Sequence, residues 1–200
     1  LLLGGGLSFL SAQGGLAADN IIGWETTMAN GSVVNVDAAS HPDLAKAMRG
    51  SGSQFGIVTK FTVQTYPIAD VWGGFCVYPA NQSEALYAAL HNFVANGAQD
   101  PKAAVIFTDL ILVGGASTKL IYYFYDAPAP PKSGPFADFF KIINPTCLPR
   151  TQKYSELVSF LQQTDLITKT DYGQVQANGA PVALLQARAS FRVSVPYLHL

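Results

Sequence analysis

A run of glycines between a helix and a strand sets the terms for this 200-residue sequence: Gly50-Ser51-Gly52-Ser53-Gln54-Phe55-Gly56. Upstream, Ser40-His41-Pro42-Asp43 carries helix-start chemistry, with Ser40 as N-cap, Pro42 in the first turn and Asp43 at the positive end of the helix dipole. Leu44, Ala45, Ala47 and Met48 supply the apolar face, and Arg49-Gly50 stops the helix. Downstream, Ile57 to Tyr66 predicts a half-buried strand, because Phe61, Val63 and Thr65 alternate with Lys60, Thr62 and Gln64. A dinucleotide fingerprint needs G-x-G-x-x-G after a strand and before a helix. Here the spacing is G-x-G-x-x-x-G and the order of elements is reversed, so that reading fails, and no P-loop pattern is present either. Two readings stay open: a backbone surface that lets a ligand come close, or a plain connector.

A second glycine cluster, Gly4-Gly5-Gly6-Leu7-Ser8, poses the same choice near the start. Between the two clusters, Asn30-Gly31 separates residues 21–28 from the valine-rich run 33–36, which predicts a hairpin because both turn residues tolerate positive φ. The pattern changes beyond Pro67. Val71 to Tyr78, Ala104 to Val113 and Lys119 to Tyr125 predict strands, the last two joined around Gly114-Gly115. Ser83 to Asn96 predicts a helix whose Leu86, Leu90, Phe93 and Val94 share a face. A proline-rich stretch from Asp126 to Pro135 excludes regular structure. Short helices are expected at Phe136–Ile143 and Tyr154–Gln163, a loop at Asp171–Pro181, and a strand at Val182–Val195. The fold class is α+β with a boundary near Ile68, dividing the chain into 1–68 and 69–200.

Composition excludes several functions. With 49% hydrophobic and 12% charged residues the chain is not disordered. A net charge of −1 lacks the basic excess of a nucleic-acid binder, and no apolar run is long enough for a membrane span. His41, His91 and His199 have no metal-ligand spacing, so no metal is expected. Cys76 and Cys147 read as buried free thiols. Asp109 and Glu25 are candidate buried acids, more simply paired or solvated. Tyr122-Tyr123-Phe124-Tyr125 presents aromatic rings to both faces of a strand, for packing or for a substrate pocket. No serine, histidine and acid pattern points to hydrolysis, and the catalytic residues stay unknown.

Both ends read as cut. The chain opens on Leu1 without methionine, and its leucine-rich start suits a signal peptide poorly, lacking basic residues and carrying three glycines. Val195-Pro196-Tyr197 follows a strand-like run with no turn.

Taken together, "GGGLSFLSAQGGLAADNI", "ANGSVV" and "HPDLAKAMRGSGSQFGIVTKFTVQTYP" resemble the second half of the FAD-binding domain of the vanillyl-alcohol-oxidase/p-cresol-methylhydroxylase superfamily, closest to berberine-bridge-enzyme-like oxidases. The resemblance implies the second half of a PCMH-type FAD-binding domain over 1–68. It also implies the start of a substrate domain, an antiparallel sheet with helices, over 69–200. It implies FAD as cofactor, with Gly4, Gly5, Gly6 and Ser8 against the flavin and its chain. Gly56, Ile57 and Val58 would offer backbone groups to the same cofactor. Asp19-Asn20 would be structural. Ser53-Gln54 and Gly14-Gly15 depart from the usual pattern of the family. The implied activity is oxidation of an alcohol, amine or C–H donor, a small-molecule substrate, with oxygen as acceptor. The family's pyrophosphate loop and flavin-linking histidine lie upstream of residue 1, so these 200 residues are expected to hold FAD weakly or not at all. Family likeness suggests secretion. An inactive homologue, or a secreted binding protein, is the alternative reading; oligomeric state is not addressed.

Overall fold

The computed structural model describes residues 2–96, 100–111, 117–163 and 188–190. The chain divides into two compact units, Leu1–Pro67 and Ile68–Leu200. Gly97, Gly114-Gly115, the loop expected at 171–181, most of the strand expected at 182–195, and His199 lie outside the described residues.

The first unit is a three-stranded antiparallel sheet backed by one helix. A short helix α1, Ser11–Gly14, precedes strands β1, Ile21–Thr27, and β2, Val33–Asp37; helix α2, Pro42–Met48, and strand β3, Ile57–Val63, follow. The sheet order is β2-β1-β3. The Asn30-Gly31 hairpin forms as its chemistry requires. Gly31 sits at φ +81°, and the Ser32 N–H donates to the Asn30 side chain at 3.0 Å. Ile21, Trp24 and Val36 pack against Ala45 and Met48 of α2.

Two expectations for this unit are corrected. Ser40 does not cap α2. Its hydroxyl accepts from the Asp37 N–H and donates to the Asn35 carbonyl, while His41 occupies the cap position with no side-chain bond. The competing turn is stronger: Asp37 accepts from the N–H groups of both Ala39 and Ser40. Strand β3 does not alternate strictly either. Its pairing with β1 shifts register between Glu25 and Thr26, leaving Thr59 as an extra residue in the strand. Val58 and Phe61, three apart, therefore share the core face, and Val63 is 41% exposed. The Thr59 hydroxyl donates to the Glu25 carboxylate at 2.7 Å, which disposes of Glu25 as a lone buried acid.

The second unit is a larger antiparallel sheet. Its elements are β4, Asp70–Pro79; α3, Ser83–Asn96; β5, Ala103–Ile111; β6, Ser117–Tyr125; β7, Thr146–Cys147; β8, Arg150–Lys153; α4, Tyr154–Gln163; and β9, Arg188–Ser190. The order is β7-β4-β6-β5-β9, with β8 also on β4. Leu86, Ala89 and Phe93 of α3 pack with Tyr78, Val105, Phe107, Ile121 and Tyr123 from one sheet face. On the other face, Phe124 meets the Tyr154 ring of α4 edge-on. The aromatic run of β6 thus serves packing on both faces.

The stretch Phe136–Ile143 is helical only in part, as one 3-10 turn at Phe139–Lys141. Phe136 and Phe139, three apart, are both sunk in the core, and turn bonds from Lys141 to Asp138 and Ile142 to Phe139 close that spacing. The free-thiol expectation also fails: Cys76 and Cys147 form a disulfide. They are directly opposite in the β4–β7 register, with Cα atoms 4.1 Å apart. A separation of 71 residues in sequence hid a nearest-neighbour pair. Among the described residues, no helix is long and apolar enough to cross a membrane.

Candidate functional site

The two glycine clusters of the first unit meet. Leu2–Gly4 forms a tight turn, and Gly5 and Gly6 follow at φ +93° and +77°. Only glycine adopts two such residues in sequence without strain. Their carbonyls are bound in turn: Gly5 accepts from the Ala18 N–H at 2.7 Å and Gly6 from Ala17 at 2.8 Å. From the other cluster, the Gly52 N–H donates to the Leu3 carbonyl at 2.8 Å. A side chain placed on Gly50 would lie 4.0 Å from the Gly5 nitrogen. Leu2–Gly6 and Gly50–Gly52, almost fifty residues apart, therefore form one backbone surface.

Part of that surface is open. A Cβ built on Gly4 or on Gly52 would find nothing within 4 Å, so open space lies directly over the backbone at both. The approach is free of side-chain bulk at the glycines themselves. Ser8 stands beside this turn but is engaged locally. Its hydroxyl accepts from the Leu10 N–H at 3.2 Å, and its own N–H donates to the Ser11 hydroxyl at 2.8 Å.

Gly56 answers to a different constraint. At φ +131°, a Cβ there would come 2.6 Å from the Thr27 carbonyl oxygen and 2.8 Å from the Thr26 methyl. The packing of β3 on β1 demands glycine at this position whatever else it does. Ile57 is 70% exposed and Val58 half-buried in the core. The resemblance grouped Gly56–Val58 with the cofactor surface; the residues whose contacts join the first cluster are Gly50 and Gly52.

Asp19 and Asn20 hold the connection between the first turn and β1. The Asp19 carboxylate accepts from the Leu16 N–H at 2.9 Å. The Asn20 amide donates to the carbonyls of Gly14 and Leu16, both at 2.8 Å, and its oxygen accepts from the Tyr66 hydroxyl. Sequence reading missed Tyr66 because its partner is 46 residues away.

The remaining candidates dissolve into structure. Asp109 pairs with the buried Lys119 and accepts from Tyr87 at 2.8 Å. Burial raises the affinity of its carboxyl for a proton, but the bonds from Lys119, Tyr87 and Ser117 outweigh it and hold the group below the usual carboxylate range. Tyr78 and Tyr123 share a buried hydroxyl–hydroxyl bond of 2.8 Å, and burial pushes both phenols up, Tyr123 furthest. His41 stands at the start of α2 with no side-chain capping bond, and His91 lies exposed on α3. Among the described residues, no three His, Cys, Asp or Glu side chains gather as for a metal ion.

No family model matches the chain. It is 38% identical over 159 residues to an uncharacterized FAD-linked oxidoreductase of Arthroderma benhamiae, covering 79% of this chain and 31% of that protein. It is 32% identical over 167 residues to a FAD-dependent monooxygenase of Aspergillus calidoustus, covering 82% and 31%. The chain thus spans about a third of the length of these curated relatives. Among solved structures, a BBE-like protein of Physcomitrella patens superposes with a TM-score of 0.68 at 23% identity, over 90% of this chain and 38% of that one. The two fungal relatives match across both units and the moss protein carries the same fold, so the chain corresponds to about a third of a FAD-linked flavoprotein and shares its fold with a BBE-like protein.

Proposed function

We propose that this chain supplies part of the flavin cradle and part of the substrate domain of a FAD-dependent oxidase. The observation that carries the reading is the meeting of Leu2–Gly6 with Gly50–Gly52 through the Gly52–Leu3 bond, with open space over Gly4 and Gly52. Gly4, Gly5 and Gly6 lie against the cofactor, Ser8 stiffens their turn, and Gly56, Ile57 and Val58 extend the surface along the start of β3. Bound FAD would supply the redox chemistry, taking a hydride from an alcohol, amine or C–H donor and passing electrons to oxygen. The chain's own task is positional: a flat backbone surface orients the ring system and keeps water from one face. The second unit, 69–200, is the part that belongs to the substrate domain, which takes a small molecule.

The Cys76–Cys147 disulfide supports secretion. Such bonds persist in oxidising compartments and are rare in the cytosol.

The test uses the full-length protein and two glycines with matching backbone conformations. Gly52 and Gly31 sit at φ +66° and +81°, each with nothing within 4 Å of a built Cβ. Valine at either costs similar strain, but only Gly52→Val places a side chain where the clusters meet. Gly52→Val is expected to lose most of its bound flavin while Gly31→Val keeps it, read as flavin absorbance per protein. Equal flavin content in the two variants defeats the proposal.

A further inference from the structure

The second unit holds an open cavity of about 320 Å³ that the flavin reading does not use. Its walls include the rings of Trp72, Phe139 and Phe140 and the Cys76–Cys147 bond, and no charged side chain lines it. Trp72 and Phe140 meet at 86°, with ring centroids 6.0 Å apart, so a planar guest could stack on one and meet the edge of the other. Apart from Tyr78, the other lining residues are Ile142, Pro145 and Pro149, and Phe140 is 49% exposed. The one hydroxyl in the lining, on Tyr78, is already bonded to Tyr123. An ion or a polyhydroxylated molecule would lose its water here and gain no partner. An apolar void of about 150 Å³ is enough to take benzene. Twice that space suits a fused pair of rings.

The disulfide wall has its own logic. Gly73 opposite Arg150 and Cys76 opposite Cys147 follow one register, so β7 and β8 are a single strand interrupted at Leu148-Pro149. Leu148 still donates to the Phe75 carbonyl at 2.9 Å, so the two pieces stay on one register across the break. Beyond that break only Thr146 and Cys147 pair with β4, and the disulfide fastens them.

We propose that this cavity binds a small, flat, uncharged aromatic molecule, and that the Cys76–Cys147 bond holds its wall in place. All of its walls lie in the second unit. The probe is 6-fluoroindole, titrated against the protein and followed by fluorine NMR. Saturable binding at one site is expected. Phe140→Ala is expected to weaken it about tenfold, the loss of one good aromatic contact. The double variant Cys76→Ala/Cys147→Ala is expected to weaken it at least as much while far-ultraviolet circular dichroism stays unchanged. Val33→Ser, on the first unit, should bind as the parent does. Absence of saturable binding overturns the proposal, as does equal affinity in Phe140→Ala and Val33→Ser. Self-association that Phe140→Ala abolishes, with no binding of the probe, also overturns it and gives the patch to a second copy of the chain.

Discussion

The two units keep their apolar side chains very differently. In the second, twelve buried residues form one cluster, joining strands, α3 and the Phe136–Phe139 turn through stacked and edge-on rings. In the first, the cluster has five buried members. The same unit leaves Leu7, Ile22, Val33, Phe55, Ile57, Val63 and Tyr66 more than a third exposed, against Tyr87, Phe140, Ile143 and Leu148 among the described residues of the larger second unit. Val33 and Ile57 flank Thr27 on neighbouring strands, so part of this exposure is a contiguous patch on the face away from α2. The contrast teaches that one unit is organised around its own interior, whereas the other is held by turns and backbone bonds and presents a surface that calls for a cover.

The sharpest way to break that contrast is to separate the units. Expressed alone, residues 68–200 should show a cooperative thermal transition in near-ultraviolet circular dichroism, and residues 1–67 should show none. A chain of that length is marginal even with a full core. A cooperative transition for 1–67 would erase the distinction.

A smaller effect sharpens it within the intact chain. The two tryptophans report separately, Trp24 from the first unit and Trp72 from the second. Phe139→Ala removes a fully buried ring and should cost the second unit about 3–5 kcal/mol in urea unfolding followed through Trp72. Met48→Ala should cost the first unit nearer 2 kcal/mol, followed through Trp24. Equal costs would mean that the thinner core packs as tightly as the larger one.

The smallest expected effect concerns acid. The Asp109 carboxyl titrates lower in the folded chain than in the unfolded one, so the stability it adds is complete above the ordinary carboxylate pKa of about 3.9. That contribution fades as pH falls through the lower, folded value. Asp109→Asn should flatten the acid limb of the second unit's stability curve and leave the Trp24 transition where it was. An unchanged acid limb would show that the Lys119 pair is stabilised by something other than charge.

Local chemistry was legible; distant pairing was not. The Asn30-Gly31 turn, the helix from Ser83 and the strands expected at Val71–Tyr78, from Ala104 as far as Ile111, and at Lys119–Tyr125 each follow from residues within a few positions of one another, and the structure has them. The extra residue at Thr59 depends on how β1 is paired, which no periodicity in β3 reveals. The disulfide was invisible for the same reason: opposition across strands leaves no spacing signal over 71 residues. Proline beside a run of aromatics made Phe136–Ile143 resemble a helix, when core burial of every third ring was the governing demand. Of the candidate site, each glycine cluster was readable as backbone without side chains. Their meeting at Leu3 and Gly52 required the fold. Gly56 shows the opposite lesson, since its neighbours Thr26 and Thr27 already explain a glycine that looked reserved for a ligand.

The interruption at Leu148-Pro149 has one more consequence. A long, flat border strand offers a row of free amides on which another polypeptide can zip, the first step toward fibrils. Proline at the break and Pro145 just before Thr146 withhold two of those donors from this margin of the sheet, which leaves a border too short and too uneven to template growth.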